Sequence, residues 1–434
     1  MAHFMKPLNV LVFPGGTEIG LEINRALREC KEVRLFSAGQ TISNHAPFVY
    51  RHHFELPSIH EAGWIAALNQ ILEVEQIEFI FPAYDDIILA LASHAEQINA
   101  RIVTSPLETC RLCRSKLKTY QSLAELLPVP RIFERIKDVE QYPVFVKPDI
   151  GQGSQGAVLV HTEAQLGSLI DDYAAAEKRL LVMEYLPGAE YTVDCFSHRS
   201  QGLLYASGRE RVRTKSGISM ASRAVSDSIF QEYAHIISQH ISLYGAWFFQ
   251  LKQDVSGQFR LLEVAPRIAG TMALNRVKGV NFPLLSLYEA MNLPLKIMTH
   301  SIDVEIDRAL INRYRHNYSF DVLYIDFDDM LIVKDVVNLD AIRLVYQCIN
   351  QGKRVILLTR HHGDLLATLR RFHLSSVFDE IIHVETNQQK ADFIREERAI
   401  FVDDSFRERE LVSQQCGIPT FDSSMIEMLF DDKV

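Results

Sequence analysis

The hydrophobic positions of the first hundred residues alternate between short continuous runs and stretches of helical spacing. The segment Glu18–Cys30 repeats apolar side chains every three or four residues, which predicts a helix. Short runs of mostly apolar, β-favouring residues predict buried strands, and they lie at Asn9–Phe13, Val33–Phe36, Glu78–Phe81 and Arg101–Val103. Strands that alternate with helices predict a parallel sheet, so residues 1–104 are expected to form a Rossmann-like α/β domain.

The pattern changes at residue 105, where strands follow one another in pairs. Helices are predicted at Leu117–Leu127 and Glu163–Ala176, and strands at Val144–Lys147, Ala157–Val160, Leu180–Tyr185 and Tyr191–Ser197. Residues 105–300 are therefore expected to form an α+β domain. A linker is predicted at 301–319, and a second alternation of strands and helices begins at Val322, which predicts a Rossmannoid domain over 320–434. The fold class is an α/β and α+β multidomain protein.

Composition narrows the class of protein. Apolar residues make up 47% of the chain and charged residues 23%, as in an ordinary globular protein. Residues 321–434 carry 21 acidic and 13 basic side chains, which accounts for most of the net charge of −10. This charge disfavours nucleic acid as a partner, and no apolar run reaches the roughly 18 residues of a membrane span. Six scattered cysteines with a single C-x-x-C disfavour zinc and favour a reducing compartment, so we expect a cytoplasmic protein with no membrane partner.

A glycine-rich loop follows the predicted strand that ends at Lys147. It contains Gly151, Gly153, Ser154 and Gly156. Glycine lets backbone N–H groups approach phosphates closely, and Lys147 would add a positive charge. The earlier glycines at 15, 16 and 20 do not have dinucleotide-binding spacing and are more typical of a tight structural turn.

Two further segments carry polar groups suited to a nucleotide. The strand and turn at 182–190 offer extended backbone for an adenine edge and a carboxylate for ribose hydroxyls. Gln250 and Glu263 lie on two later strands, where alternation directs both inward as candidate oxygen ligands for Mg²⁺. Arg267 is a candidate clamp for a phosphoryl group or a carboxylate.

With the motifs V-K-P…G-x-G-S-x-G, M-E-Y-L-P-G-A-E-Y and L-L-E-V-A-P-R in this order, residues 1 to about 300 resemble the ATP-grasp superfamily, in particular its carbamoyl-phosphate-synthase-like and D-alanine–D-alanine-ligase-like members. The resemblance implies ATP between two α+β lobes and an acyl phosphate as intermediate. It places Lys116 and Lys147 on phosphates, Glu184 and Leu186 on adenine at the hinge that contains Tyr185, Glu190 on ribose, and Mg²⁺ (or Mn²⁺) on Gln250 and Glu263.

Ala265 departs from the family pattern, which usually has a metal-binding asparagine at this position. Either one metal ion is held more loosely, or Asn275 or Asp254 compensates. The basic run 209–217, together with Arg223, would face the acceptor and the terminal phosphate in such proteins, although a solvated hairpin is the alternative.

The C-terminal region has acidic residues at predicted strand ends. Asp326 and Asp328 follow an apolar strand at i and i+2, which suits a nucleophile and a general acid/base beside one metal ion. Later strands end at Thr359, which offers a hydroxyl to phosphate, and at Asp403-Asp404, a second pair of metal ligands. Lys390 lies between these two and would neutralise developing charge.

These residues, in order, resemble the haloacid-dehalogenase (HAD) superfamily, with Met330 where threonine is usual. The short gaps before Thr359 and Lys390 leave no room for a cap domain, and capless members usually act on large substrates or borrow a lid from a neighbouring domain.

The leading hypothesis is a Mg-ATP carboxylate–amine ligase fused to a HAD phosphatase, with both domains acting in one pathway. One alternative is a phosphatase with a regulatory nucleotide-binding module. Another is a ligase with a non-catalytic HAD-like domain. The expected partners are small carboxylates, amines and a phosphorylated substrate, with a homo-oligomer left open.

Overall fold

A computed structural model describes residues 6–151, 153, 155–175 and 179–433. The chain forms two compact units, one that ends at Leu310 and one that begins at Ile311. Among the described residues, no helix is long and apolar enough to cross a membrane.

The first unit begins with a parallel sheet of strand order β3-β2-β1-β4-β5. Its strands are β1 (Leu8–Phe13), β2 (Val33–Gly39), β3 (His53–Glu55), β4 (Phe79–Pro82) and β5 (Arg101–Ile102), and its helices are α1 (Glu18–Leu27), α2 (Ala46–Val49), α3 (Trp64–Val74) and α4 (Asp85–Ser93). The central strands β1 and β4 are almost wholly buried, as expected for parallel strands covered on both faces.

A smaller antiparallel sheet with strand order β6-β9-β7-β8 follows. It contains β6 (Ile132–Phe133), β7 (Val144–Pro148), β8 (Val158–Val160) and β9 (Leu180–Glu184), with helices α5 (Leu107–Arg114), α6 (Lys116–Leu123) and α7 (Glu163–Ala175). Helix α6 ends four residues before the predicted Leu127, although the Leu127 N–H still donates to the Leu123 carbonyl at 2.9 Å. Ala176, the predicted end of α7, lies outside the described residues.

The large antiparallel sheet of the first unit has the order β14-β13-β10-β11-β12-β15. Its strands are β10 (Glu190–His198), β11 (Gly202–Lys215), β12 (Ile218–Val225), β13 (Gly245–Gln253), β14 (Phe259–Ala265) and β15 (Glu305–Asp307), and its helices are α8 (Ser228–His240), α9 (Ala273–Arg276) and α10 (Phe282–Ala290). Strand β15 corrects the predicted linker at 301–319, because residues 305–307 pair with β12 as an edge strand.

The second unit contains a parallel sheet of order β20-β19-β16-β21-β22 and a two-stranded hairpin, β17-β18. The strands are β16 (Val322–Ile325), β17 (Ile332–Val333), β18 (Val336–Val337), β19 (Arg354–Thr359), β20 (Glu380–His383), β21 (Ala399–Val402) and β22 (Thr420–Phe421), and the helices are α11 (Leu339–Asn350), α12 (Leu365–Arg371) and α13 (Phe406–Cys416). Because β16, β19 and β21 are parallel neighbours, their carboxyl ends meet at one edge of the sheet.

Gly208 in β11 permits close packing of the large sheet against α8, and its replacement tests that packing. A Cβ added at Gly208 would lie 2.2 Å from Cδ2 of the buried Phe230 ring. We expect Gly208→Ala to destabilise the first unit by about 1–3 kcal/mol, as overpacking does in cores. Thermal unfolding measures this effect.

Gly167→Ala is the matched control, since Gly167 lies in α7 and a Cβ there meets nothing within 4 Å. Alanine is expected to stabilise at this position by about 0.4–1 kcal/mol. Equal effects of the two substitutions would contradict the packing argument.

Candidate active sites

A cleft of about 840 Å³ opens between the four-stranded and the six-stranded sheets of the first unit. Residues predicted from separate motifs line it together, namely Lys116, Lys147, Gly151, Gly153, Glu184, Tyr185, Leu186, Glu190, Gln250 and Glu263.

Two lysines line the cleft beside the glycine-rich loop, Lys147 in β7 and Lys116 at the start of α6. The Lys147 ammonium donates to the Tyr120 hydroxyl at 3.0 Å, and Lys116 donates to the carbonyls of Asp149 and Gly151 at 3.3 and 3.1 Å. Burial lowers the pKa of Lys147 to about 8, although the nearby carboxylate of Glu263 opposes this shift. Burial also lowers the pKa of Lys116. Both cations are therefore poorly solvated, a condition that a bound phosphate would relieve.

The lowered pKa of Lys147 predicts a pH dependence of ATP binding. Lysine attracts phosphate only when it is protonated, so affinity is expected to be highest below pH 8 and to fall as the pH rises through 8. The decrease between pH 7 and pH 9 should be roughly tenfold if only the protonated form binds. Titration of a fluorescent ATP analogue across this range measures it.

Lys147→Arg provides the control for this pH dependence, because arginine stays protonated throughout the range. The variant should bind the analogue with a flatter pH profile. An equally steep profile in the variant would assign the titration to another group.

The described glycines of the glycine-rich loop differ in their surroundings, since two line the cleft and one packs against a helix. Gly151 and Gly153 line the cleft. Gly156 has a φ of +71°, and a Cβ there would lie 2.3 Å from the Tyr173 hydroxyl. Gly156, predicted to bind phosphate, is thus placed as a turn residue packed on α7. Ser154 lies outside the described residues.

The hinge carboxylates already have protein partners. The Glu184 side chain accepts a hydrogen bond from the Arg131 backbone N–H at 2.8 Å, which ties β9 to the segment before β6. Glu190 forms ion pairs with Arg211 at 2.8 Å and Lys252 at 3.7 Å. Glu190 is therefore held on the cleft wall in a fixed position, as a ribose-binding carboxylate requires.

Gln250 and Glu263 are cross-strand partners on β13 and β14, and both line the cleft. An amide oxygen and a carboxylate at this spacing are suitable ligands for Mg²⁺. Ala265 lies two residues further along the same strand and offers no oxygen from its side chain.

Neither residue considered as a replacement for the missing asparagine is free to act. Asn275 is fully buried, donates to Asp194 at 2.9 Å and accepts from the Tyr205 hydroxyl at 3.0 Å. Asp254 caps the β13–β14 turn and pairs with Arg260 at 2.9 Å. Because the tertiary fold commits both side chains to structural hydrogen bonds, the structure favours the other alternative, a more loosely held metal ion.

A second cavity of about 940 Å³ shares Lys116, Gly151, Gly153, Gln250 and Glu263 with the cleft. Its other charged lining residues include Glu18, Asp85, Arg114, Arg209, Arg211, Arg267 and Arg308. The shared edge places the second cavity next to the predicted phosphate and metal positions.

Arg267 lines the second cavity in a fixed orientation. Its guanidinium pairs with Asp85 and lies 5.0 Å above the centre of the Phe248 ring. Burial raises the pKa of Asp85, but the charge of Arg267 outweighs it and the net pKa is lowered. Arg308 similarly pairs with Glu18 at 3.2 Å. Sequence reasoning missed Asp85, Glu18 and Arg308, since no local motif marks them.

The second unit brings together a buried lysine and carboxylates at the predicted strand ends. Lys390 donates to Asp326 at 2.7 Å and to Asp403 at 2.6 Å, and all three side chains are buried. Asp326, Asp403 and Asp404 each present an oxygen within 4.8 Å of the others, a fit for one divalent cation. Burial raises the pKa of Asp326 to about 6, and the positive charge of Lys390 opposes that shift. Thr359 is fully buried at the end of the neighbouring strand β19.

Asp328 lies apart from this carboxylate cluster. Its side chain is about half exposed and bonds His361 Nδ1 at 2.9 Å. The opposite ring nitrogen of His361 is 3.1 Å from the Thr368 hydroxyl. The structure thus separates Asp328 from the other predicted metal ligands and gives it a histidine partner that the sequence motif did not indicate. Met330, where the family has threonine, is fully buried in the core.

Part of the first unit is similar in sequence to known proteins. Residues 176–310 match the sequence model of a family described as ATP-grasp in the biosynthetic pathway with Ter operon. Over 155 residues the chain is 28% identical to the carbamoyl phosphate synthase arginine-specific large chain of Bacillus subtilis (strain 168). That match covers 34% of this chain and 15% of the B. subtilis protein, so the chain spans only a small part of this curated relative.

Several solved structures have a fold similar to that of this chain. Biotin carboxylase from Campylobacter jejuni has a TM-score of 0.55 at 16% identity, over 66% of this chain and 71% of that one. L-amino acid ligase from Bacillus licheniformis has a TM-score of 0.52 at 18% identity, over 68% and 76%. N5-carboxyaminoimidazole synthetase from Staphylococcus aureus, complexed with ADP, has a TM-score of 0.54 at 16% identity, over 68% and 80%. Over about two thirds of its length the chain therefore shares the fold of these solved structures, and residues 176–310 match the ATP-grasp family model.

Proposed function

We propose that the first unit is a Mg-ATP-dependent ligase that joins a carboxylate to an amine through an acyl phosphate. The observation that carries the proposal is the shared edge of the two cavities, where Lys116, Gln250 and Glu263 line both. An ATP site and a second-substrate site that meet at cations and metal ligands suit phosphoryl transfer between them. The L-amino acid ligase and the ADP complex among the similar structures support this assignment.

The proposed reaction has two steps. A carboxylate oxygen attacks the γ-phosphorus of ATP, the bond from that phosphorus to the β–γ bridging oxygen breaks, and ADP leaves as an acyl phosphate forms. An amine nitrogen then attacks the acyl carbon, the carbon–oxygen bond to phosphate breaks, and the amine gives up a proton. An amide and inorganic phosphate are the products.

The side chains of the first unit would act mainly by positioning the two substrates and by neutralising phosphate charge. Lys147 and Lys116 would hold phosphate oxygens, and Arg267, fixed by Asp85, would hold the carboxylate that becomes activated. Gln250 and Glu263 would hold Mg²⁺ or Mn²⁺, which when bound neutralises phosphate charge.

Product analysis tests the ligase assignment. The full chain is incubated with Mg-ATP and a mixed pool of amino acids, ADP is assayed, and products are analysed by mass spectrometry. We expect ADP formation together with a new compound whose mass equals two pool members less one water. Nucleotide binding without any ADP formation would instead favour a regulatory nucleotide-binding module.

For the second unit we propose a Mg-dependent phosphatase activity. The observation that carries this proposal is the contact of Lys390 with both Asp326 and Asp403. An Asp326 oxygen would attack phosphorus, the ester bond to the leaving oxygen would break, and Asp328 would protonate that oxygen. Water would then attack the phosphorus of the aspartyl phosphate, the bond from phosphorus to the Asp326 oxygen would break, and inorganic phosphate would leave as the carboxylate is regenerated. Asp403 and Asp404 would hold the metal ion with Asp326.

A further inference from the structure

A fully buried polar network lies beside the second cavity of the first unit. Arg209 donates through Nε and Nη2 to the Asp194 carboxylate at 2.9 and 3.1 Å. Asn275 donates to the same carboxylate at 2.9 Å. The exposed fraction is 1% for Arg209 and 0% for Asp194 and Asn275. Asp194 therefore fixes the orientation of the Arg209 guanidinium.

Among the described residues, one nitrogen of this guanidinium has no protein partner. Arg209 Nη1 is buried and forms no hydrogen bond within the part of the chain that the structure describes. Arg209 also lines the second cavity. A buried donor without an acceptor is unfavourable, so a ligand acceptor is the natural partner for this N–H group. Basic residues outnumber acidic ones in the cavity lining, which favours an anion.

Strand register separates Arg209 from the predicted metal ligands. Arg209 pairs with Thr192, Thr192 with Gln250, and Gln250 with Glu263, so one row crosses β11, β10, β13 and β14. At a strand spacing of about 4.8 Å, the Arg209 backbone lies about 10 Å from that of Gln250. An anion bound by Arg209 is thus distinct from the carboxylate that takes the phosphoryl group.

We propose that Arg209 Nη1 binds the α-carboxylate of an amino acid whose amine is the acceptor in the ligation. This inference rests on the proposed ligase function. In an amino acid, one carbon separates the amine from the carboxylate. The acyl phosphate is followed by the attacking nitrogen, at about 3 Å, and by the one carbon that separates amine from carboxylate. Their combined length is comparable to the distance between Arg209 and the predicted metal ligands Gln250 and Glu263. Arg209 would then determine specificity for acceptors that carry a carboxylate.

Calorimetric titration tests the proposal without requiring turnover. The full chain, saturated with Mg²⁺ and a non-hydrolysable ATP analogue, is titrated separately with each of the twenty common L-amino acids and with their α-amides. We expect at least one amino acid to bind and its amide to bind about 10- to 100-fold more weakly, because a charge-assisted hydrogen bond is lost.

The variant Arg209→Lys retains a charge beside Asp194 but removes Nη1. It should weaken amino-acid binding about tenfold or more while leaving the affinity for the ATP analogue unchanged. Arg199→Lys is the matched control, since Arg199 likewise pairs with a carboxylate, that of Glu289 at 2.7 Å, and does not line the second cavity. This control should bind amino acids as the parent does.

Three results would overturn the assignment of Arg209. These are no binding of any of the twenty amino acids, equal binding of acids and amides, or unchanged amino-acid affinity in folded Arg209→Lys. If Arg209→Lys does not fold, the comparison of acids with amides in the parent still decides. Carboxylate-dependent binding without ADP formation would instead count against the ligase function alone.

Discussion

Replacing Lys147 with alanine is expected to lower substrate-dependent ATP hydrolysis by about 100- to 1,000-fold, the usual effect of losing one preorganised group that stabilises transition-state charge. The Lys147 side chain is buried in the cleft and is held over the ring of Tyr120 at 5.6 Å. Neither its charge nor its position can be supplied by a neighbour, because Lys116 is directed by the carbonyls of Asp149 and Gly151. Coupled measurement of ADP formation, with kcat and KM for ATP determined separately, gives the effect.

Lys137→Ala is the control for this experiment. Lys137 lies in the same part of the first unit, on an exposed 3-10 turn. Its loss should leave ATP hydrolysis within twofold of the parent value, roughly the range expected of a neutral surface change. If Lys147→Ala hydrolysed ATP at the parent rate, the ligase proposal for this cleft would be wrong.

Asp326→Asn is expected to abolish phosphatase activity, with a loss of at least about 1,000-fold in kcat, because an amide oxygen is a poor nucleophile. Removal of the negative charge also leaves Lys390 with Asp403 as its remaining carboxylate partner. Magnesium-dependent hydrolysis of a chromogenic phosphate ester measures the activity, and chelation of Mg²⁺ should abolish it in the parent.

Asp335→Asn provides the comparison, since Asp335 is an exposed carboxylate of the same unit that pairs with Arg371. Its phosphatase activity should match that of the parent. Activity retained by Asp326→Asn would exclude Asp326 as the nucleophile. A parent protein with no activity toward a panel of phosphate esters would favour the alternative of a non-catalytic domain.

Local patterns predicted most of the secondary structure and the candidate residues. The strand cores of both parallel sheets are continuous apolar runs, and each lies within a residue or a few of its predicted position. Boundaries were less accurate where long-range pairing decided them. Strand β15, within the predicted linker, exists because β12 offers it an edge, and three residues alone carry no signal for that pairing.

The candidate sites likewise combine residues that local motifs predict with residues that only the tertiary fold brings together. Lys147, Glu190, Gln250 and Glu263 belong to sequence motifs, so their residue types and spacing could be recognised directly. The partners that orient the second cavity are far away in the chain. Asp85 pairs with Arg267 across 182 positions, a contact that neither segment indicates.

The sequence by itself determined which residues are candidates for chemistry, because a strand followed by a glycine loop or a carboxylate is encoded within a few positions. Only the tertiary structure decided which of those groups are free to act. It committed Asn275 to Asp194, and within the part of the chain that the structure describes it left one nitrogen of Arg209 beside a cavity without a partner. Hydrogen-bond satisfaction of a buried group depends on every element packed around it, and that information is not local in the chain.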